Sequence, residues 1–285
     1  MTQIDSFFLE NKPLFSGKIR EVYDYGDDKL LIKTSDKISA FDFVFDDEIL
    51  DKGVLLTDTT KIWFNKTKNI IENHLLVDGS VSELIPYTHK SCMVVKKCKP
   101  IRIEAIVRGY LSGSAFEQYT KEGEVSDIKI QDGLKLNDKF EKPIFTPSTK
   151  ASIGGKDVNI TFSDMTNRLG SETSDYIKEK SIQLYTYAHD VAQSNGLCLL
   201  DTKFEFGYDS NENIILIDEI FTPDCSRYCL SKDINNENVD YFDKQFFRNY
   251  LKSINWKQKQ IIIPDEIKEV IIKRYKQVYD IINDI

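Results

Sequence analysis

The stretch Leu199-Leu-Asp-Thr-Lys-Phe-Glu-Phe-Gly207, with Ile214-Ile-Leu-Ile-Asp-Glu219 after it, constrains this chain more than any other. Both runs read as strands, and Asp209-Ser-Asn-Glu-Asn213 between them reads as the turn of a hairpin. Alternate residues of a strand share a face. Asp201, Lys203 and Glu205 therefore point one way, and Thr202, Phe204 and Phe206 the other. Closing the hairpin about Asn211 and Glu212 brings Glu205 opposite the neighbourhood of Asp218. Three acids and a lysine then converge. A solvated face crossed by salt bridges is the ordinary fate of such charges. Here the second strand is apolar without alternation, which predicts cover on both faces. Carboxylates beside a covered strand need a cation, and two oxygen donors completed by phosphate oxygens are how Mg2+ is held.

Around this hairpin the chain reads as α+β. Glu21–Tyr25 and Lys29–Lys33 flank Gly26-Asp27-Asp28 as a second hairpin, and Cys92–Lys96 reads as a strand. Helical spacing is expected over Thr57–Ile71, Ser114–Lys121, Asp175–Ser194 and, behind Pro264-Asp265, Ile267–Ile282. Residues 126–160 are polar, with Pro143, Pro147 and Gly154-Gly155, and read as a long loop. A small β-rich N-terminal domain over residues 1–97 and a larger α+β domain over 98–285 are the expected division.

With 285 residues, 41% of them apolar, there is ample core. A net charge of -8 excludes a nucleic-acid or anionic-membrane binder that works by bulk charge. No apolar run nears the roughly 20 residues that span a bilayer, and no leader is visible at the N-terminus. Five cysteines without C-x-x-C spacing fit a reduced cytoplasmic setting, and Cys225 with Cys229 makes only a weak zinc motif. His74, His89 and His189 form no cluster in the sequence, which leaves little for a nucleophilic triad.

Further motifs carry anion chemistry. Ser16-Gly-Lys-Ile-Arg20 precedes a strand; Gly17 permits close backbone approach, and Lys18 and Arg20 can meet phosphates. It is not a Walker A loop, and an ordinary basic turn is the alternative. Val107-Arg-Gly-Tyr-Leu-Ser-Gly-Ser114 puts Arg108 ahead of a helix start, which suits a phosphate or, equally, a helix capped by Ser112 or Ser114. Arg227 closes Thr222-Pro-Asp-Cys-Ser-Arg227, directly after the acidic strand. Lys244 and Arg248 stand four apart, on one face of a helix.

In this order the pieces resemble the phosphoribosylaminoimidazole-succinocarboxamide synthase (SAICAR synthetase) family, in its longer, yeast-like form. The match runs from about Phe15 to Ile282. It also includes Thr34-Ser-Asp-Lys-Ile-Ser-Ala-Phe-Asp42, Pro143-Ile-Phe-Thr-Pro-Ser-Thr-Lys150 and Asp243-Lys-Gln-Phe-Phe-Arg248. Lys37, Glu21, Arg102 and Cys225 depart from the family's usual residues. The resemblance implies an ATP-grasp or kinase-like fold with the active site in the cleft between the two domains. It implies a cytoplasmic ligase of purine biosynthesis that uses ATP and Mg2+. Its substrates would be L-aspartate and 5-amino-1-(5-phospho-D-ribosyl)imidazole-4-carboxylate (CAIR), joined through an acyl phosphate, and a monomer is expected.

By the same resemblance Gly17, Lys18 and Arg20 cover the ATP phosphates, and Lys97, Cys98 and Pro100 form the adenine-side hinge. Glu205 and Asp218 hold Mg2+; Lys203, Asp201 and Asp42 lie at the reacting groups. Arg108, Ser114, Arg227, Lys244 and Arg248 hold the ribonucleotide, and Ser39 and Lys150 are expected at the aspartate. A small-molecule kinase and a nucleotide-binding module without turnover are the rival readings.

Overall fold

The computed structural model describes residues 3–76, 90–150, 157–236 and 239–284; His89 and Gly154-Gly155 lie outside them. Helix α1 (Gln3–Glu10) precedes strands β1 (Phe15–Ser16), β2 (Arg20–Asp24), β3 (Lys29–Thr34), β4 (Lys37–Ala40) and β5 (Phe43–Glu48). Helix α2 (Lys52–Thr67) leads to β6 (Cys92–Lys96) and the long β7 (Lys99–Tyr110). Next come α3 (Gly113–Glu122), the short β8 (Glu124–Val125) and β9 (Ile128–Lys129), and β10 (Lys139–Thr149). The remainder is α4 (Phe162–Leu169), α5 (Ser171–Ser194), β11 (Leu197–Tyr208), β12 (Ile214–Ile217), β13 (Ser226–Leu230), α6 (Gln245–Ser253) and α7 (Asp265–Asn283).

Two antiparallel sheets organise these elements. The first has the order β1-β2-β3-β6. In β3, successive Leu31 and Ile32 pack into separate apolar clusters, as strand alternation requires. The second sheet runs β10-β7-β11-β12, with β13 also on β11. Strand β7 takes one edge of β11. The other edge is shared: β13 pairs with Leu197–Thr202 and β12 with Glu205–Tyr208. At the fork the Lys203 amide donates to the Cys225 carbonyl, 3.1 Å. The chain from Asp218 to Cys225 is therefore laid across the middle of β11, and this places the site.

The main core forms where Ile177, Leu184, Tyr185, Ala188 and Ala192 of α5 meet Val107, Leu199, Phe204 and Phe206 of the sheet. Trp63 and Phe64 of α2 and Val278 and Ile282 of α7 join that core. A second cluster gathers Ile38, Phe45 and Leu56 with Phe247, Leu251, Ile271 and Tyr275. Both clusters take residues from either side of position 97.

Two elements differ from expectation. The stretch 126–160 holds β10, paired with β7 from Lys139 to Thr149. It is an edge strand with a register break between Lys139 and Ile144, and such positions tolerate Pro143 and Pro147, which hid it. Helix α2 begins at Lys52, not at Thr57, and ends at Thr67. Asp51 makes no side-chain cap bond; Asp36 accepts from the Gly53 amide instead, 2.7 Å, across a distance in sequence that spacing does not reveal.

Candidate active site

The hairpin sets the first centre. Glu205 pairs with Ile217 across β11–β12, and Asp218 follows at φ 67°. The two carboxylates are neighbours, with unequal surroundings. Burial, then the negative charge of Asp218, pushes the Glu205 carboxyl up, although Lys150 and Lys203 oppose this. Burial pushes Asp218 the same way, but Arg20, Lys150 and Lys203 outweigh it and hold its carboxyl below the usual range. Cations come from three parts of the chain. Lys150, just past β10, pairs with Glu205. Lys203 meets Glu104 of β7 at 2.6 Å. Arg20, at the start of β2, reaches Asp218 at 3.3 Å and Glu219 at 2.5 Å, and so ties the first sheet to the second. Burial acts against the charge of Arg20, yet Asp218 and Glu219 keep its guanidinium protonated more firmly than usual.

Lys18 does not join this group; it pairs with Asp42. Asp42 and Phe41, both at positive φ (61° and 52°), form the turn between β4 and β5. The Gly17 amide donates to the Arg20 carbonyl, 2.7 Å, folding the loop on itself. At the junction of the two sheets the Lys97 amide donates to the Asp28 carbonyl, 2.8 Å, and Pro100 faces Gly207. Cys98 lies between them, its thiol pushed up to about 11 by burial.

Four residues before Glu205 on β11, Asp201 anchors a second centre. It accepts from Arg227 at 3.0 Å and from the Ser112 hydroxyl at 3.0 Å, with Arg108 at 3.7 Å. Arg108 donates to Thr146 (3.0 Å) and to Ser114 (3.4 Å). Asp243 faces Arg227 at 3.6 Å and Arg248 at 3.9 Å. Three guanidiniums against two carboxylates leave a positive surplus. Ser112 makes no side-chain bond to the backbone of α3, so the capped-helix alternative fails: its hydroxyl goes to Asp201 and accepts from Arg227. Gly113 is what admits the arginine, since a Cβ there would lie 2.4 Å from its Nη1. An uncapped helix start between guanidiniums is suited to a phosphate.

Lys244 stands apart from these arginines. Its ammonium meets Asp224 at 2.9 Å and the Ser39 hydroxyl at 3.4 Å. Asp224 also takes Lys52 (3.0 Å) and the Tyr275 hydroxyl (2.7 Å), and the two ammoniums hold it low against the effect of burial. Sequence reasoning missed Glu104, Glu219, Lys52 and Tyr275. Asp224 lay inside a quoted motif, but Lys52, between Asp51 and Gly53, looks like any surface lysine.

Among the described residues no three His, Cys, Asp or Glu side chains gather as a ligand set, and Cys225 and Cys229 are free thiols. The Glu205–Asp218 pair nevertheless fits Mg2+. Its donors are hard oxygens, and it needs only phosphate oxygens to complete it. The upward push of Asp218 on Glu205 is the repulsion that a divalent cation between them would relieve.

A family model described as SAICAR synthetase matches residues 13–263. The chain belongs to the SAICAR synthetase family. The phosphoribosylaminoimidazole-succinocarboxamide synthase of Haemophilus influenzae is 37% identical over 282 residues, 96% of this chain and 97% of its own. That of Desulfosudis oleivorans is 41% identical over 275 residues, 93% of each chain. The Saccharomyces cerevisiae SAICAR synthase, solved in complex with SAICAR, superposes with a TM-score of 0.87 at 32% identity, covering 100% of this chain and 98% of that one. The fold is thus the ATP-grasp-like α+β fold of SAICAR synthetases. A type-2 SAICAR synthetase solved with ADP shares it at a TM-score of 0.72 and 21% identity.

Proposed function

We propose that this synthetase joins L-aspartate to the carboxylate of CAIR at the expense of ATP, giving SAICAR, ADP and phosphate. The observation that carries the reading is the arrangement along β11. Asp201 sits in the arginine-rich centre, and Glu205, four residues on, sits in the carboxylate and lysine centre. At about 3.3 Å per residue these centres lie about 13 Å apart. A ribonucleotide carrying an acid on its base can bridge them, phosphate on Arg108, Arg227, Arg248 and Ser114, acid toward Glu205 and Asp218.

A carboxylate is a poor electrophile, so it must first be activated. In this reading a CAIR carboxylate oxygen bonds to the γ-phosphorus as the bond to ADP breaks. The aspartate amine then attacks the acyl carbon, phosphate leaves with that oxygen, and the nitrogen gives up a proton. Mg2+ held by Glu205 and Asp218 would offset charge on the phosphates. Lys203, held protonated by Glu104 and Glu205 against the effect of burial, adds a fixed cation there. Lys18 and Gly17 cover the phosphates, and Arg20 holds Asp218 in place. Lys97, Cys98 and Pro100 border the adenine, Ser39 and Lys244 face the anionic substrates, and Asp42 stands near the reacting acid. Lys150 is assigned to the aspartate. We place the enzyme in the cytoplasm as a monomer of two domains, 1–97 and 98–285. Its five thiols are free, and no described helix is long and apolar enough to cross a membrane.

A coupled assay for ADP, with CAIR and aspartate omitted in turn, tests the reading. Sustained ADP release should need both. ADP formed with CAIR alone at the full rate would make the protein a kinase, and ATP binding without ADP under any condition would make it a binding module.

A further inference from the structure

Lys52 is an unusual residue on physical grounds. It opens α2, where the helix dipole disfavours a cation, and its side chain is 0% exposed. Burial draws its ammonium toward deprotonation, against the pull of Asp224. A buried ion pair of this kind is often no more stable than an apolar replacement, so stability alone gives little reason for it. Its partner Asp224 is 1% exposed and takes two ammoniums on one oxygen, Lys52 at 3.0 Å and Lys244 at 2.9 Å. Tyr275 donates to the other oxygen, and its ring lies 5.7 Å from the Lys52 nitrogen. Glu219, the next acid, is taken by Arg20 and Thr222. Two positive charges therefore answer one negative charge, and of the two lysines only Lys244 extends beyond the cluster, to Ser39.

We infer that Lys52 is a positioning residue: its buried ammonium satisfies Asp224, so that Lys244 keeps its positive charge for an anionic group of a substrate beside Ser39. The inference rests on the placing of Lys244 in the substrate cleft. Without Lys52, Asp224 and Lys244 form a closed neutral pair, and the substrate anion loses its partner. The shared chemistry is a phosphate or carboxylate, supplied by CAIR or by aspartate.

Steady-state kinetics of Lys52→Met decides. The KM for CAIR or for aspartate should rise about tenfold or more, while that for ATP stays within about twofold. Removing the opposing charge as well, in the Lys52→Met/Asp224→Asn double variant, should return the raised KM to within about threefold of wild type, which a merely structural role would not do. Equal changes in all three KM values, no change in any, or no recovery in the double variant would overturn the inference. Should Lys52→Met fail to fold, Tyr275→Phe preserves the packing and withdraws one donor from Asp224. The same KM should then rise about threefold with ATP unaffected, and an unchanged ratio overturns the inference. Wild-type turnover, measured first, tests the functional reading by itself. If it is absent, calorimetric titration of inorganic phosphate and of succinate into wild type and Lys52→Met makes the comparison without turnover. Weaker binding of either anion to the variant supports the inference, and equal binding of both overturns it.

Discussion

At Asp218 three demands meet: a left-handed backbone at φ 67°, a half-buried position, and the neighbouring charge of Glu205. Its neighbourhood was legible because strand alternation and a short turn set the register to within one residue: a turn about Asn211 and Glu212 puts Asp218 opposite Glu205, and the observed partner is Ile217. The cations Lys150 and Arg20 around it, and the Glu104 carboxylate that pairs with Lys203, were not, because they come from other elements whose approach no local pattern encodes. Replacing Asp218 by Asn keeps the shape and removes repulsion from Glu205, so the fold should survive while turnover falls by several kcal/mol of transition-state stabilisation. Turnover at saturating Mg2+ checks this; a rate within about tenfold of wild type, about 1.4 kcal/mol, would remove Asp218 from the metal. Beside it, His74 is 4% exposed, and burial is the main reason its imidazole is pushed down to about 4. The unfolded chain binds that proton near pH 6.5 and the folded chain only near 4, so stability is intact above about 6.5 and is lost as the pH falls between them, by about 3 kcal/mol. Urea titrations of wild type and His74→Gln across that range should diverge by this amount, and parallel curves would show that the imidazole does not carry it.

Among the elements, those whose pattern is local were read closely. Strand β6 spans Cys92–Lys96 as expected, and α5 ends at Ser194, as its spacing predicts, although it begins at Ser171 and not at Asp175. Strand β10 escaped because its pairing is with β7, some forty residues away, and its prolines argue locally against a strand. The close contact of β7 with α5 is likewise invisible in sequence. Gly109 stands in the Val107–Ser114 motif ahead of α3. In the fold it lies against the Tyr185 ring, whose hydroxyl donates to the Leu199 carbonyl at 2.7 Å. A Cβ at 109 would stand 1.9 Å from that hydroxyl. Neither backbone can give way, since the tyrosine is wholly buried in the main core. Gly109→Ala should therefore cost about 2 kcal/mol or more, the range for overpacking plus a lost buried hydrogen bond. Thermal denaturation gives the measure. A melting temperature within a degree of wild type would mean that Tyr185 can leave without consequence.

For the whole molecule, the two-sheet plan was legible and the way the sheets share a core was not. Helices α2 and α7 bury Trp63 and Val278 in one cluster and Leu56 and Tyr275 in another. An amphipathic pattern says that a helix has a buried face, not which sheet receives it. The shared core matters for the chemistry, because it fixes Arg20, from the first sheet, against Asp218 and Glu219 of the second. Under the proposed function Lys203 and the Glu205–Asp218 pair gather where ATP phosphates would lie, with Lys150 on Glu205 beside them for the aspartate, and Arg108, Arg227 and Arg248 gather around Asp201 on the same strand. Two anionic substrates meeting between these centres is the geometry that in-line phosphoryl transfer to a carboxylate requires. The route has an isotopic consequence. CAIR labelled with 18O in both carboxylate oxygens should deliver one labelled oxygen to inorganic phosphate during turnover with aspartate and keep the other in the new amide. Mass spectrometry of the phosphate reads this directly. Unlabelled phosphate from fully labelled carboxylate would exclude the acyl phosphate while leaving the ligase activity and the residue assignments standing, since the label follows the bond that breaks and not the side chains around it.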